Sequence, residues 1–354
     1  MTKELQQYAI DLLKQLITTP SFSKEEDQTA AIIENFLRNR GCKTRRHINN
    51  IWTPNKYFDE GKPTILLNSH HDTVKPNKGY TLDPFTPIER DGKLFGLGSN
   101  DAGGALVSII SLFLYFHDKE NLRYNLVLGI SAEEEISGKN GVEALLSVLP
   151  PIDCGIVGEP TLLQMAIAER GLMVLDCVAH GKAGHAARNE GQNAIYKAMA
   201  DIEWIHRFKF EKVSEFLGPV KMTVTSIETE NKAHNVVPSD CKFVIDVRLN
   251  ELYSHEEVLD TIEKNLTSSV QMRSDRLRSS MISMDHPLVK AGLNLGRTYY
   301  GSPTSSDKAL MPFPALKIGP GDSARSHTAD EFIFIEEIKE GIDLYIKLLQ
   351  QVVL

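Results

Sequence analysis

The run "TILLNSHHDTV" (residues 64–74) drives an apolar stretch straight into two histidines and an aspartate. Apolar runs of strand length are buried, and a buried imidazole or carboxylate needs a partner: another side chain, a metal ion or a ligand. Whatever this chain folds into must place the end of that strand where such a partner can sit.

Residues 65–68, 126–131 and 155–158 are short apolar runs without clean alternation, as expected of strands buried on both faces. The apolar stretch 105–116, after Gly104, is long enough to be the helix between two of them. At the N-terminus, Leu5, Tyr8, Leu12 and Leu16 share one face of an amphipathic helix, and "SKEE" (23–26) predicts a capping box opening a second helix that Gly41 ends. This alternation reads as a parallel α/β domain.

A different rhythm follows: a strand at 173–180, a helix at 193–210, strands at 222–228 and 241–248, a helix at 256–266 and a weak last strand at 279–284. That order, β-α-β-β-α-β, is the ferredoxin-like plan. "CKFVIDVRL" alternates apolar and polar residues, so this sheet is expected to have one wet face. The first style then returns, with a strand at 315–318 and a helix at 335–349. At 354 residues the chain exceeds the usual size for a single core. The expected fold class is α/β: a mostly parallel-sheet domain with helices on both faces (1–169 and 286–354), interrupted by an inserted ferredoxin-like α+β domain (170–285).

A net charge of −8 argues against nucleic acid as a partner, because phosphate binding needs a basic face. The longest apolar stretch is too short to span a bilayer, and the N-terminus does not read as a signal peptide. The four cysteines are scattered and form no C-x-x-C pair, which fits a reducing compartment. A cytoplasmic location without membrane contact is the expectation.

Ligands of open parallel sheets collect beyond the carboxyl ends of the strands. His70, His71 and Asp72 follow the first strand, Glu133, Glu134 and Glu135 follow "LVLGIS", and Glu159 follows "CGIVG". Asp101 lies in "GLGSNDAGG" ahead of a helix, and His327 in "SARSHTADE" after the last strand. Singly, each has an ordinary explanation: a core histidine, a solvated helix start, a helix N-cap, a turn. Together they would repel one another without a cation, and a mixed histidine–carboxylate set suits a divalent ion such as zinc. "FGLGSNDAGG" begins like a dinucleotide-binding loop, but Asp101 occupies the third glycine position and would repel a pyrophosphate. No G-x-S-x-G nucleophile elbow is present.

The ordered set "SHHDTV", "GLGSNDAGG", "SAEEE", "VGEPT", "GKAGHAA", "NVVP", "DVR", "SSD" and "GPGDSARSH" resembles the M20 metallopeptidase family of dinuclear zinc amidohydrolases, over nearly the whole chain. The resemblance implies two Zn2+ ions, with Co2+ as a possible substitute. By position it makes His70 and Glu159 ligands of one ion, Glu134 and His327 ligands of the other, and Asp101 the bridge. Asp72 orients His70, Glu133 is the general base and Glu135 is structural. The inserted domain corresponds to the family's lid, which carries a homodimer contact, and His185 would donate to the developing oxyanion from the partner's lid. Arg248, Asn235, Arg170 and Ser305 are the implied substrate-binding residues.

The implied reaction is hydrolysis of the amide bond of a small-molecule N-acyl amino acid. The pattern looks nearest to the acetylornithine or acetylcitrulline deacetylase branch, in arginine biosynthesis, with succinyl-diaminopimelate desuccinylase or a di- or carboxypeptidase as the alternative. Leu97 and Ala102-Gly103 depart from the arginine and Met-Lys common in that loop, and "PTSSD" departs from the usual glycine-threonine before serine-aspartate. A non-catalytic scaffold is disfavoured, because the acid that would serve as base accompanies every ligand. The resemblance predicts that His185→Ala leaves the metal content intact while severely reducing turnover, measured by metal analysis and steady-state kinetics. Loss of zinc or normal turnover would count against that role.

Overall fold

The computed structural model describes residues 2–188 and 190–354. The chain divides into two compact units: residues 1–167, 282–300 and 306–354 form the first, and residues 168–281 with 301–305 form the second.

In the first unit Asn125–Ser131, Thr64–His70, Cys154–Val157 and Ala315–Lys317 lie side by side and parallel. Asn50–Pro54 adds antiparallel to Asn125–Ser131, and Met165–Glu169 adds antiparallel to Ala315–Lys317. All seven residues of Thr64–His70 and of Asn125–Ser131 are buried. Leu66 packs with Trp52, Val127, Val142 and Leu145. Alternation turns Ile65 and Leu67 to the opposite face, where they are also fully buried, so the sheet is covered on both sides.

The helix Gly104–His117 lies against this sheet, with twelve of its fourteen residues buried. Ser108 and Ser111 are tolerated there because their hydroxyls donate to the carbonyls of Gly104 (2.7 Å) and Val107 (2.9 Å) in the preceding turn. Among the described residues only Ser99–His117 is long and apolar enough to cross a membrane, and 83% of that stretch is buried. Thr2–Ile17 and Ile335–Val353 pack on the same helix. The buried side of Thr2–Ile17 runs through Leu5, Ala9, Leu12, Leu13 and Ile17, leaving Tyr8 and Leu16 on its flank.

"SKEE" does not cap a helix. The second helix is Asp27–Arg38, with Glu26 at its N-cap position and no side-chain cap. The Ser23 hydroxyl instead donates to Asp72 Oδ2 at 2.7 Å, a long-range bond that overrides the local pattern.

The second unit holds an antiparallel sheet in the order Lys221–Glu228, Asp240–Leu249, Gly171–His180, Ser269–Met272. Buried and half-exposed residues alternate along its two central strands. The buried set, including Leu175, Cys177, Phe243 and Ile245, packs on the helices Ala194–Arg207 and His255–Asn265. Asn193 caps the first helix, and a Ser254–Glu257 capping box opens the second. The fourth strand is Ser269–Met272, while 279–284 yields only Ser280–Met281, paired with Glu169 and Ala168. The short, half-exposed "SVQM" carries too little apolar pattern to announce itself. All four cysteines are free and buried.

Phe113 is fully buried within the central helix. Phe113→Ala should cost about 3–5 kcal/mol of stability, read from the urea unfolding midpoint at constant m-value.

Candidate metal centre

His70 ends its strand and is 1% exposed. Its Nδ1 lies 3.0 Å from the Asp72 carbonyl and 3.4 Å from Asp72 Oδ1. A carbonyl only accepts, so Nδ1 carries the proton and the lone pair of a neutral ring resides on Nε2. Nε2 is buried without a hydrogen-bond partner and faces Asp101 Oδ1 at 3.4 Å, Glu159 Oε1 at 3.8 Å and Glu134 Oε2 at 3.9 Å. A lone pair aimed at three carboxylates is repulsive until a cation lies between them. Burial opposes a charged imidazolium here, yet the nearby carboxylates of Asp101, Asp72, Glu134 and Glu159 hold the His70 pKa well above its ordinary value.

Among the described residues two groups can gather donor atoms around one ion: His70, Asp101 and Glu159, and Asp101, Glu135 and His327. Asp101 belongs to both. Its Oδ1 faces His70, while its Oδ2 is 3.6 Å from His327 Nε2. His327 Nε2 also lies 3.0 Å from Glu135 Oε2, and that contact, against partial burial, raises its pKa to about 9. The orphaned Nε2 and the two mixed donor sets fit a pair of divalent cations.

The Asp101 loop depends on a residue that the sequence did not single out. Glu331, 2% exposed, accepts the backbone N–H groups of Gly98, Asn100 and Asp101, each at 2.9 Å. Burial, with the nearby Asp101 charge, pushes its carboxyl up to about 7. Gly98 is required at this turn: it has φ +72°, and a Cβ there would lie 2.5 Å from Thr73. The Asp101–Ala102 peptide is cis.

The three consecutive glutamates part ways. Glu133 has φ 53°, which turns the chain out of the strand. Its carboxylate accepts from Asn140 Nδ2 at 3.0 Å and from the Asn140 N–H at 3.4 Å, so it is taken up on its own loop. Glu134 points to His70, and Glu135 meets His327. The structure thus places Glu135, rather than Glu134, beside His327, and Glu134 beside His70, one residue along from the expected order of base, ligand and structural acid. Three identical side chains carry no register of their own, and the left-handed turn at Glu133 resets which of them face the two histidines.

Asp72 does more than touch His70. Its Oδ1 accepts the Glu134 N–H at 3.0 Å and its Oδ2 the Glu135 N–H at 3.2 Å. His71 faces elsewhere, with Nδ1 2.9 Å from the Thr29 hydroxyl and Nε2 3.0 Å from the Asn49 carbonyl. Burial lowers its pKa to about 4, which suits a neutral ring bridging two fixed groups. From "TSSD", Asp307 approaches the centre: it is 3% exposed, accepts from the Ser131 hydroxyl, and is pushed up to about 6 by burial.

The remaining expected site residues belong to the second unit. His185 is exposed on the two-residue strand Gly184–His185, paired with Val236–Val237, and its Nδ1 accepts the Ala187 N–H at 3.1 Å. The Asn235 carbonyl accepts the Ala186 N–H at 2.9 Å. The Arg248 fork is engaged by Asp246 through Nε (2.8 Å) and Nη2 (3.0 Å). Arg170 donates to the carbonyls of Leu217, Pro219 and Arg248, and the Ser305 hydroxyl to the Arg170 carbonyl. Arg170 and Ser305 are thus built into the framework of their own unit rather than held free for a ligand.

The model of "Peptidase family M20/M25/M40" matches residues 66–351. Succinyl-diaminopimelate desuccinylase 2 of Ruegeria sp. (strain TM1040) is 24% identical over 97% of this chain and 95% of its own. Among solved structures, the aminopeptidase PepT from Bacillus cereus ATCC 10987 superposes with a TM-score of 0.77 at 17% identity, covering 98% of both chains. The Bacillus subtilis YXEP protein, a dinuclear metal binding peptidase from the M20 family, superposes with a TM-score of 0.70 at 14% identity, covering 99% of this chain and 100% of that one.

With one cation in each donor group, Glu135→Ala should lower retained Zn2+ from two equivalents towards one, whereas Glu134→Gln should retain both. Metal analysis after dialysis decides between this register and the one expected from sequence.

Proposed function

The chain belongs to peptidase family M20/M25/M40, and we propose that it is an N-acyl-amino-acid amidohydrolase with N-succinylated substrates as its preferred class. The observation that carries the reaction is the pair of donor groups sharing Asp101, with Glu134 beside them and outside both. His70, Glu159 and Asp101 would hold one Zn2+, and Glu135, His327 and Asp101 the other, with Co2+ able to substitute. Bound divalent cations supply Lewis acidity, making water more acidic and polarising an amide carbonyl.

Glu134 performs the proton work. Burial pushes its carboxyl well above the usual carboxylate range, opposed by His70 and reinforced by Glu159 and Asp307. A carboxyl with raised proton affinity can accept a proton from the attacking water and return it to the leaving amine. In the balanced step, the water oxygen bonds to the acyl carbon, the C–N bond breaks, and the proton held on Glu134 passes to nitrogen. His185 remains the proposed donor to the developing oxyanion. Arg248 and Asn235 remain proposed contacts for the substrate carboxylate. A homodimer through the second unit is proposed with them.

The acyl group is where the comparisons redirect the sequence reading. The desuccinylase likeness spans nearly the whole of both chains, which favours a succinyl over an acetyl substrate and lysine over arginine biosynthesis. The test is a panel of N-succinyl-L,L-diaminopimelate, N-acetylornithine, N-acetylcitrulline and dipeptides on zinc-loaded protein. The highest kcat/KM is expected for the succinyl substrate; a tenfold preference for any other overturns the assignment. Glu134→Gln should lower kcat by roughly 10²–10⁴-fold while retaining two equivalents of zinc.

A further inference from the structure

Glu26 lies outside both donor groups, and its one mark in the sequence is the last position of "SKEE", yet it is completely buried. Its Oε1 accepts the Lys24 N–H at 2.6 Å and the Glu133 N–H at 3.2 Å, and its Oε2 accepts from Asn49 Nδ2 at 2.9 Å. All three partners are neutral N–H donors. A carboxylate costs several kcal/mol to bury, and neutral amides offset only part of that. An ordinary helix start needs no such group, because serine or asparagine caps it as well.

What these bonds fix is the turn that carries the site. The backbone N–H groups of Glu133, Glu134 and Glu135 are received in succession by Glu26 and the two oxygens of Asp72. Glu26 takes the first, at the residue whose positive φ decides which glutamate faces which donor group.

We propose that Glu26 is a positioning residue for the hydrolytic reaction: it locks the turn at Glu133 and so holds Glu134 and Glu135 in register. The inference rests on Glu134 as base and Glu135 as ligand.

The chemistry of the pocket makes Glu26→Gln a clean probe. The Asn49 amide is oriented by Arg46, which donates to Asn49 Oδ1 at 2.8 Å. The glutamine NH₂ must therefore face an N–H donor at either oxygen position. Asn125→Ala serves as the comparison for lost stability alone. Asn125 is 1% exposed at the opposite end of the strand leading to the turn, where its Nδ2 donates to the carbonyls of Asp59 (2.8 Å) and Lys62 (3.0 Å).

Zinc-loaded Glu26→Gln, assayed with N-succinyl-L,L-diaminopimelate, should lose about 10- to 100-fold in kcat with KM nearly unchanged. In titrations of the metal-free protein with Co2+, followed by visible absorption, the second equivalent should bind more weakly and the first should not. Glu26→Asp, which keeps the acceptors on a shorter arm, should fall between Glu26→Gln and wild type, and it stands in should the glutamine variant not fold. Asn125→Ala should melt at a lower temperature yet keep kcat and both Co2+ equivalents. The proposal is overturned if the Glu26 variants keep wild-type kcat and Co2+ binding, or lose kcat only as far as Asn125→Ala does at equal loss of melting temperature. Wild-type protein that binds no Co2+ or hydrolyses no N-acyl substrate would instead sink the reading of the site itself.

Discussion

Asp101 is a single carboxylate placed between two histidines, with one oxygen turned to each, and the site is organised around the charge that this concentrates. Four further carboxylates, Glu134, Glu135, Glu159 and Asp307, stand close enough to contribute to its field. Like charges at such spacing cannot all remain ionised in a buried setting without a compensating cation. The pKa directions express this conflict: both histidines are driven up, Asp101 is held down, and Glu134 is pushed up. Cations satisfy every member of the set at once, which protons do only piecemeal.

Crowded charge of this kind would drive its own loops apart unless they were tied independently. The ties are buried carboxylates that accept backbone N–H groups: Glu331 for residues 98, 100 and 101, Asp72 for 134 and 135, and Glu26 for 133. Each tie supplies an acceptor to backbone N–H groups that would otherwise be buried unpaired, and so stiffens its loop. Burial opposes a charged Asp72, yet His70 and the Ser23 hydroxyl hold its carboxyl below the usual range, so this tie also adds negative charge behind the donor atoms and increases the demand for a cation.

The framework of this arrangement could be read from the sequence because burial leaves a simple mark. Strands covered on both faces appear as unbroken apolar runs, so Thr64–His70, Asn125–Ser131 and Cys154–Val157 were visible, as were the polar residues at their ends. His70, Asp101, Glu159 and His327 are each the distinctive ligand type within their segment, and the structure gathers all four. "SAEEE" offered three equal candidates, and only the φ of Glu133 separates them. The roles of Glu26 and Glu331 leave no mark in the sequence for a related reason: Glu331 at residues 98, 100 and 101, and Glu26 at Glu133, accept backbone N–H groups distant along the chain, which leave no trace in side-chain pattern. The "SKEE" misreading has that origin too, since Ser23 and Glu26 both serve the Asp72–Glu133 turn rather than the helix beside them.

The two arginines that the resemblance assigns to a substrate carboxylate are held in different ways. Arg170 is committed to main-chain carbonyls, and withdrawing it would strand those acceptors. Arg248 is held instead by Asp246, two residues away on the same strand, in a pair whose side chains keep 32% and 27% of their exposure. Under the proposed role of Arg248, an incoming carboxylate would compete with Asp246 for the same two-pronged geometry. Asp246 keeps the guanidinium aligned through Nε and Nη2.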